Sequence, residues 1–155
     1  MEPNEIQTAL AASVEEVLET MCFAGVVASA EGNVPLEADG GSPAITAALH
    51  FEGSPSGEFR VGVPVKLARL VGAGFLGREE TDVSDSQAEE VVCELANIIC
   101  GSVLSRLESK EALRITHPEL TPPEQGVSFE GVGARRWFDL GDGILAVSLE
   151  LQQTV

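Results

Sequence analysis

The chain is short of basic residues, cysteine and long apolar runs, and each shortage narrows what it does. Only 9 of its 155 residues are Lys or Arg, against 25 Asp or Glu, for a formal charge of -16. Such an acidic surface repels nucleic acid and anionic membranes. It suits a partner that presents lysine or arginine, and it serves solubility equally well. No apolar run approaches the ~20 residues a membrane helix needs. The opening MEPNE has no basic region leading into an apolar stretch, so no secretory signal is expected. Cys22, Cys93 and Cys100 are an odd number without metal-type spacing. Free buried thiols in a reducing cytoplasm are the expectation. The sequence also lacks a Ser-His-Asp set, a P-loop, a reactive-cysteine motif and a metal-spaced cluster. His50 and His117 lie far apart and read as surface or packing residues.

What is present suits a single domain over 1–155 with its own core, since hydrophobic residues make up 44% of the chain. Ile6, Leu10, Val14, Val17 and Met21 recur at helical spacing and predict a first helix over 4–23, with Asn4 and Gln7 capping it and Gly25 past its end. VVASA reads as a short strand, and the Gly- and Pro-rich stretch 31–44 as a loop. TAALHFEG and EFRVGVP flank a Ser54–Gly57 turn, which predicts a hairpin. A shorter helix follows over Val65–Leu76, ended by Gly77. The best-marked helix starts near Ser84, where Ser84–Gln87 and Ser86–Glu89 both have capping-box spacing, and runs to about Ser109. LRITHP, GVSFEG, ARRWFDL and GILAVSLELQ read as strands, the last two joined by Gly141-Asp142-Gly143.

EEVLETMCFAG near the start aligns with EEVVCELANIICG in the long helix. HFEGSPSGEFRVGV aligns with WFDLGDGILAVSLE. Two related halves, each helix, strand and hairpin, would share one sheet. Shared amphipathic patterning alone is the competing explanation. The fold class expected is α+β, long helices packed on an antiparallel sheet.

On the long helix, Val91, Leu95, Ile98 and Ile99 turn to one apolar face, with position 102 beside them. Cys93 and Cys100 sit on this largely apolar segment as buried thiols. Glu90, Glu94, Asn97 and Gly101 line up as a neighbouring stripe. Asn and Gly cost a helix about 0.6 and 1 kcal/mol relative to Ala, and Gly101 would let another backbone approach. The stripe is compatible with a docking groove and also with a solvated acidic face. Trp137 beside Arg135 and Arg136 fits an interaction patch or an aromatic that covers the core.

The stretch EEVVCELANIICGSVLSRL resembles the signature helix of the CheX/CheC chemotaxis phosphatases, whose core is Glu-x-x-Asn followed by apolar residues and often Gly. FEGSPSGEFRVGVPVKLARLVGAGFLG is similar to that family's preceding block, and VEEVLETM to its opening helix. Glu94 and Asn97 match the pair. Glu90 stands where the CheC type often has Asp or Ser. Pro118 falls short of that type's proline position and Pro122 overshoots it, so the CheX side of the group is favoured. In the first helix Thr20 and Phe23 stand where a second Glu and Asn would be, which implies one site per chain.

The resemblance implies hydrolysis of the aspartyl phosphate on a CheY-like receiver domain. Asn97 would orient the attacking water and Glu94 would pair with the receiver's lysine. Glu90 and Gly101 would contact the partner. It implies no cofactor on this chain, because the receiver brings Mg²⁺. It also implies a cytoplasmic homodimer, with neither nucleic acid nor membrane as partner. A non-catalytic receiver-binding adaptor is the alternative, and a structural or motor-associated relative a third.

Overall fold

A computed structural model describes residues 3–32, 44–53, 56–107, 114–121 and 133–151. The first helix, α1, spans Pro3–Met21. Its apolar positions Ile6, Leu10, Val14 and Val17 are buried, as their spacing requires, whereas Met21 is 41% exposed. The expected Asn4–Gln7 cap is not made. Gln7 instead reaches strand β6 (Gly133–Asp139), where its Nε2 donates to the Arg135 carbonyl at 3.1 Å. Nor does Gly25 end the helix. The left-handed residue is Phe23, at φ 55°, and the Ala24 N–H donates back to the Leu18 carbonyl at 2.9 Å.

Strand β1 is Ala28–Glu31. Strands β2 (Ala44–Glu52) and β3 (Gly57–Pro64) form the first antiparallel pair. Helix α2 occupies Val65–Leu76 and is closed by Gly77 at φ 67°. A single 3₁₀ turn, Glu80–Asp82, leads into α3, Asp85–Arg106. Of the strand expected over LRITHP only β4 (Arg114–Ile115) forms, and a second short strand, β5 (Glu119–Leu120), follows Pro118. Strand β7 is Ile144–Leu151 and pairs with β6 across the expected Gly141–Gly143 turn. The loop at 33–43, most of the first hairpin turn, the last positions predicted for α3 and the GVSFEG strand lie outside the described residues.

The described strands form one antiparallel sheet in the order β1-β6-β7-β3-β2-β4, with β5 also on β2. The order carries the internal duplication. The lone strand of the first half, β1, pairs with the second half's hairpin strand β6. The two short strands of the second half, β4 and β5, both pair with the first half's β2. The two inner hairpin strands, β3 and β7, meet at the centre.

Alternation along the central strands buries Phe59, Val61 and Val63 with Leu145, Val147 and Leu149. Val91, Leu95 and Ile99 of α3, Leu10 and Val14 of α1, and Leu67 and Val71 of α2 complete the same core. Each fully buried aliphatic side chain contributes about 1.5–3 kcal/mol. That burial holds α3 with one face on the sheet and leaves its opposite stripe outward.

Candidate functional site

Helix α3 starts where the sequence marks it. The Ser84 Oγ accepts from the Gln87 N–H at 3.1 Å, and the Gln87 side chain accepts from the Ser84 N–H at 2.9 Å. This completed capping box fixes the first turn, so positions along the helix face known directions. Ser86–Glu89 has the same spacing but lies inside the helix. Leu95, Ala96 and Ile99 have no exposed surface, whereas Glu90, Glu94 and Asn97 are exposed. One face of α3 is therefore core, and the next one carries two carboxylates and an amide.

Those three residues line a groove of about 880 Å³. The α3 wall also holds Glu89 and Cys93. Phe75 and Leu76, at the end of α2, line it as well, and a second wall comes from Ile115, Thr116, His117, Pro118 and Leu120. Helix α2 is held close to α3 because Gly72 packs against Val83 and Val91. No hydrogen bond or ion pair among the described residues engages Glu90, Glu94 or Asn97. Their polar groups are left for something in the groove.

The carboxylates act on one point. Burial pushes the Cys93 thiol up, and Glu89, Glu94 and Glu90 raise it further. Cys93 is half-buried in the groove wall, not fully buried as its apolar surroundings suggested. Cys22 and Cys100 are buried, and desolvation pushes both thiols up to about 12. All three cysteines are free.

Gly101 continues the stripe but is not among the groove-lining residues described. Among the described residues a Cβ there would meet only the Ile115 Cδ1 at 4.0 Å, an ordinary contact, so no described backbone presses on it. His50 is on the surface, with its Nε2 3.0 Å from a Glu58 carboxylate oxygen. Trp137 is half-buried on β6 opposite Ala30 and Ala146. His117, which read as an unremarkable surface or packing residue, lines the groove, and so does Pro118. That second wall was missed because LRITHP reads as one strand. Pro118, which supplies no ladder N–H, is the signal that the strand breaks there.

Among the described residues no group of three His, Cys, Asp or Glu side chains is placed to hold a metal ion. No described helix is long and apolar enough to cross a membrane.

The three described helices packed on an antiparallel sheet are those of the CheC-like class of fold. The profile of the family described as chemotaxis phosphatase CheX matches residues 45–127, more than half of the chain. The chain belongs to the CheX family. Its fold is similar to that of CheX in a CheX–CheY–BeF3–Mg complex from Borrelia burgdorferi. That match has a TM-score of 0.73 at 20% identity, over 96% of this chain and 98% of the other. Chemotaxis protein CheX from Vibrio vulnificus gives 0.74 at 18%, over 98% and 99% of the two chains. A CheC-like superfamily protein from Shewanella sp. PV-4 gives 0.72 at 14%, over 96% and 98%. No curated protein matches the sequence.

Proposed function

We propose that this chain, acting as a single domain, hydrolyses the aspartyl phosphate of a phosphorylated CheY-like receiver. The observation that carries this reading is the pair Glu94 and Asn97. Both are exposed in one acidic groove, with no hydrogen bond or ion pair among the described residues, on a helix whose neighbouring face is buried in the core. The family match and the CheY partner of the Borrelia burgdorferi relative support it.

The division of labour follows from the groups. An acyl phosphate is already activated, so the main need is a water held in line with the departing carboxylate. The Asn97 amide offers both a donor and an acceptor for that water and needs no proton exchange. Glu94 lies one turn earlier on the same face, where its carboxylate would pair with the receiver's lysine. That contact would set the docking register. Glu90, on the same wall, would extend the surface offered to a cationic partner. Mg²⁺ arrives with the receiver.

The test is direct. Purified chain is mixed with a receiver loaded from acetyl phosphate and Mg²⁺, and loss of the phosphoryl-aspartate is followed. Faster loss with wild type than with Asn97→Ala is the expected result. Equal rates remove the catalytic role. If the wild type binds the phosphorylated receiver without accelerating its decay, the chain is an adaptor.

A further inference from the structure

The groove has a charge problem that Glu94 and Asn97 do not solve. Its α3 wall carries three carboxylates, from Glu89, Glu90 and Glu94. A phosphoryl group entering it brings more negative charge. Of the described lining residues, His117 is the one side chain able to carry positive charge. Other lining polar groups are partly committed. The Thr116 Oγ1 accepts from the His50 N–H at 2.8 Å, and the Gln87 amide oxygen is held by the α3 cap.

His117 is also carried on an anchored support. Before it, Ile115 pairs with Phe51, and the Thr116 N–H donates to the His50 carbonyl at 2.8 Å. After it, Glu119 pairs with Ala48, and the Thr121 N–H donates to the Thr46 carbonyl at 2.8 Å. Both anchors are on β2, so residues 116–118 bridge two fixed points. Pro118 restricts the backbone between them. Ile115, the residue at the start of this bridge, stands beside Gly101, one turn beyond Asn97, and Thr116, His117 and Pro118 line the same groove as Asn97. The imidazole is exposed and has no hydrogen bond among the described residues. An exposed donor on a preorganised support is well placed to bind a ligand without a large ordering cost.

We propose that His117 is the residue by which this groove distinguishes a phosphorylated receiver from an unphosphorylated one. It donates a ring N–H to the phosphoryl oxygens while Glu94 takes the cationic group. The assignment rests on the receiver-phosphatase reading above.

Dissociation constants would be measured for a CheY-like receiver, with and without beryllofluoride and Mg²⁺, against wild type, His117→Ala and His117→Arg. Wild type should prefer the beryllofluoride form. A hydrogen bond to a charged group makes the expected loss of preference in His117→Ala about ten- to a hundredfold, all of it from weaker binding of the loaded form. His117→Arg, which supplies N–H donors and a fixed positive charge, should recover part of that preference. Equal weakening of both receiver forms in His117→Ala makes the residue a general contact and overturns the inference. An unchanged preference overturns it too. In both cases a wild-type chain that still binds the receiver leaves the phosphatase reading intact. If wild type binds neither form, the receiver reading itself fails, and this inference with it.

Discussion

The backbone carbonyl of Cys22 fills the space beside Gly74. A Cβ on that glycine would sit 1.9 Å from the carbonyl oxygen. The obstacle is backbone, so a rotamer change cannot relieve it. Gly74→Ala must push α2 away from the end of α1, and overpacking of this kind costs about 1–3 kcal/mol. Urea denaturation should show that loss. Phe75 and Leu76 follow directly and line the groove, so receiver binding should weaken in the same variant.

Gly101 gives the opposite expectation. A Cβ there meets Ile115 at ordinary contact distance. Gly101→Ala should therefore stabilise the chain by up to about 1 kcal/mol through helix propensity. Receiver affinity measured on the same variant is informative. A drop alongside the raised stability would mean that the partner needs the bare backbone at this position. Unchanged affinity would remove Gly101 from the docking surface.

Ser84→Ala removes the side-chain half of the box that starts α3, the Oγ that accepts from the Gln87 N–H, and keeps the backbone N–H that donates to the Gln87 side chain. Losing an N-cap side chain costs about 0.5–2 kcal/mol. The helix carries Val91, Leu95 and Ile99 into the core, so the loss should appear as global destabilisation in thermal or urea unfolding. Ser86→Ala, at the rival capping position inside the helix, should leave the midpoint nearly unchanged.

These cases show what the sequence made legible. Helix α2 was bounded correctly because Gly77 marks its end, and α3 began where Ser84 and Gln87 place a cap. Helical periodicity, a local property, put Glu90, Glu94 and Asn97 on one exposed face, and the family resemblance singled out Glu94 and Asn97. Non-local relations stayed hidden. Gln7 looked like a capping residue, yet its partner lies 128 positions away on β6. Phe23, not Gly25, takes the left-handed turn after α1, and no local rule favours an aromatic there. The groove's second wall depends on two short strands that pair with β2, so His117 gave no sign of its position.

The buried thiols predict an alkaline limit. Burial raises Cys22 and Cys100 from 9.0 to about 12. Between those values the unfolded chain gives up thiol protons that the folded chain keeps. The stability contribution is whole below about pH 9 and is lost as pH rises toward 12. Urea midpoints from pH 8 to 11 should fall less steeply in a Cys22→Ala/Cys100→Ala double variant than in wild type. Cys93 adds a local probe of the groove. Its thiol is raised partly by Glu94, so Glu94→Gln should speed its alkylation at pH 8.

Glu94 and Asn97 should fail in different ways, and that difference is the sharpest check on their roles. If the carboxylate docks the receiver's lysine, Glu94→Gln weakens binding and raises KM. The effect should shrink as salt screens the charge. If the amide only holds the water, Asn97→Ala leaves docking largely intact and lowers kcat. Misplacing a reacting group by about 1 Å can cost about 10²-fold, which sets the expected scale. Asn97→Asp tests the point further. It keeps the shape and an acceptor but removes the donor, and it adds a fourth carboxylate to a wall that has three. Water activation by general base would tolerate or favour that aspartate. Positioning by a neutral amide predicts that it fails at least as badly as alanine. Single-turnover decay of the phosphorylated receiver, at saturating and subsaturating chain, separates these outcomes.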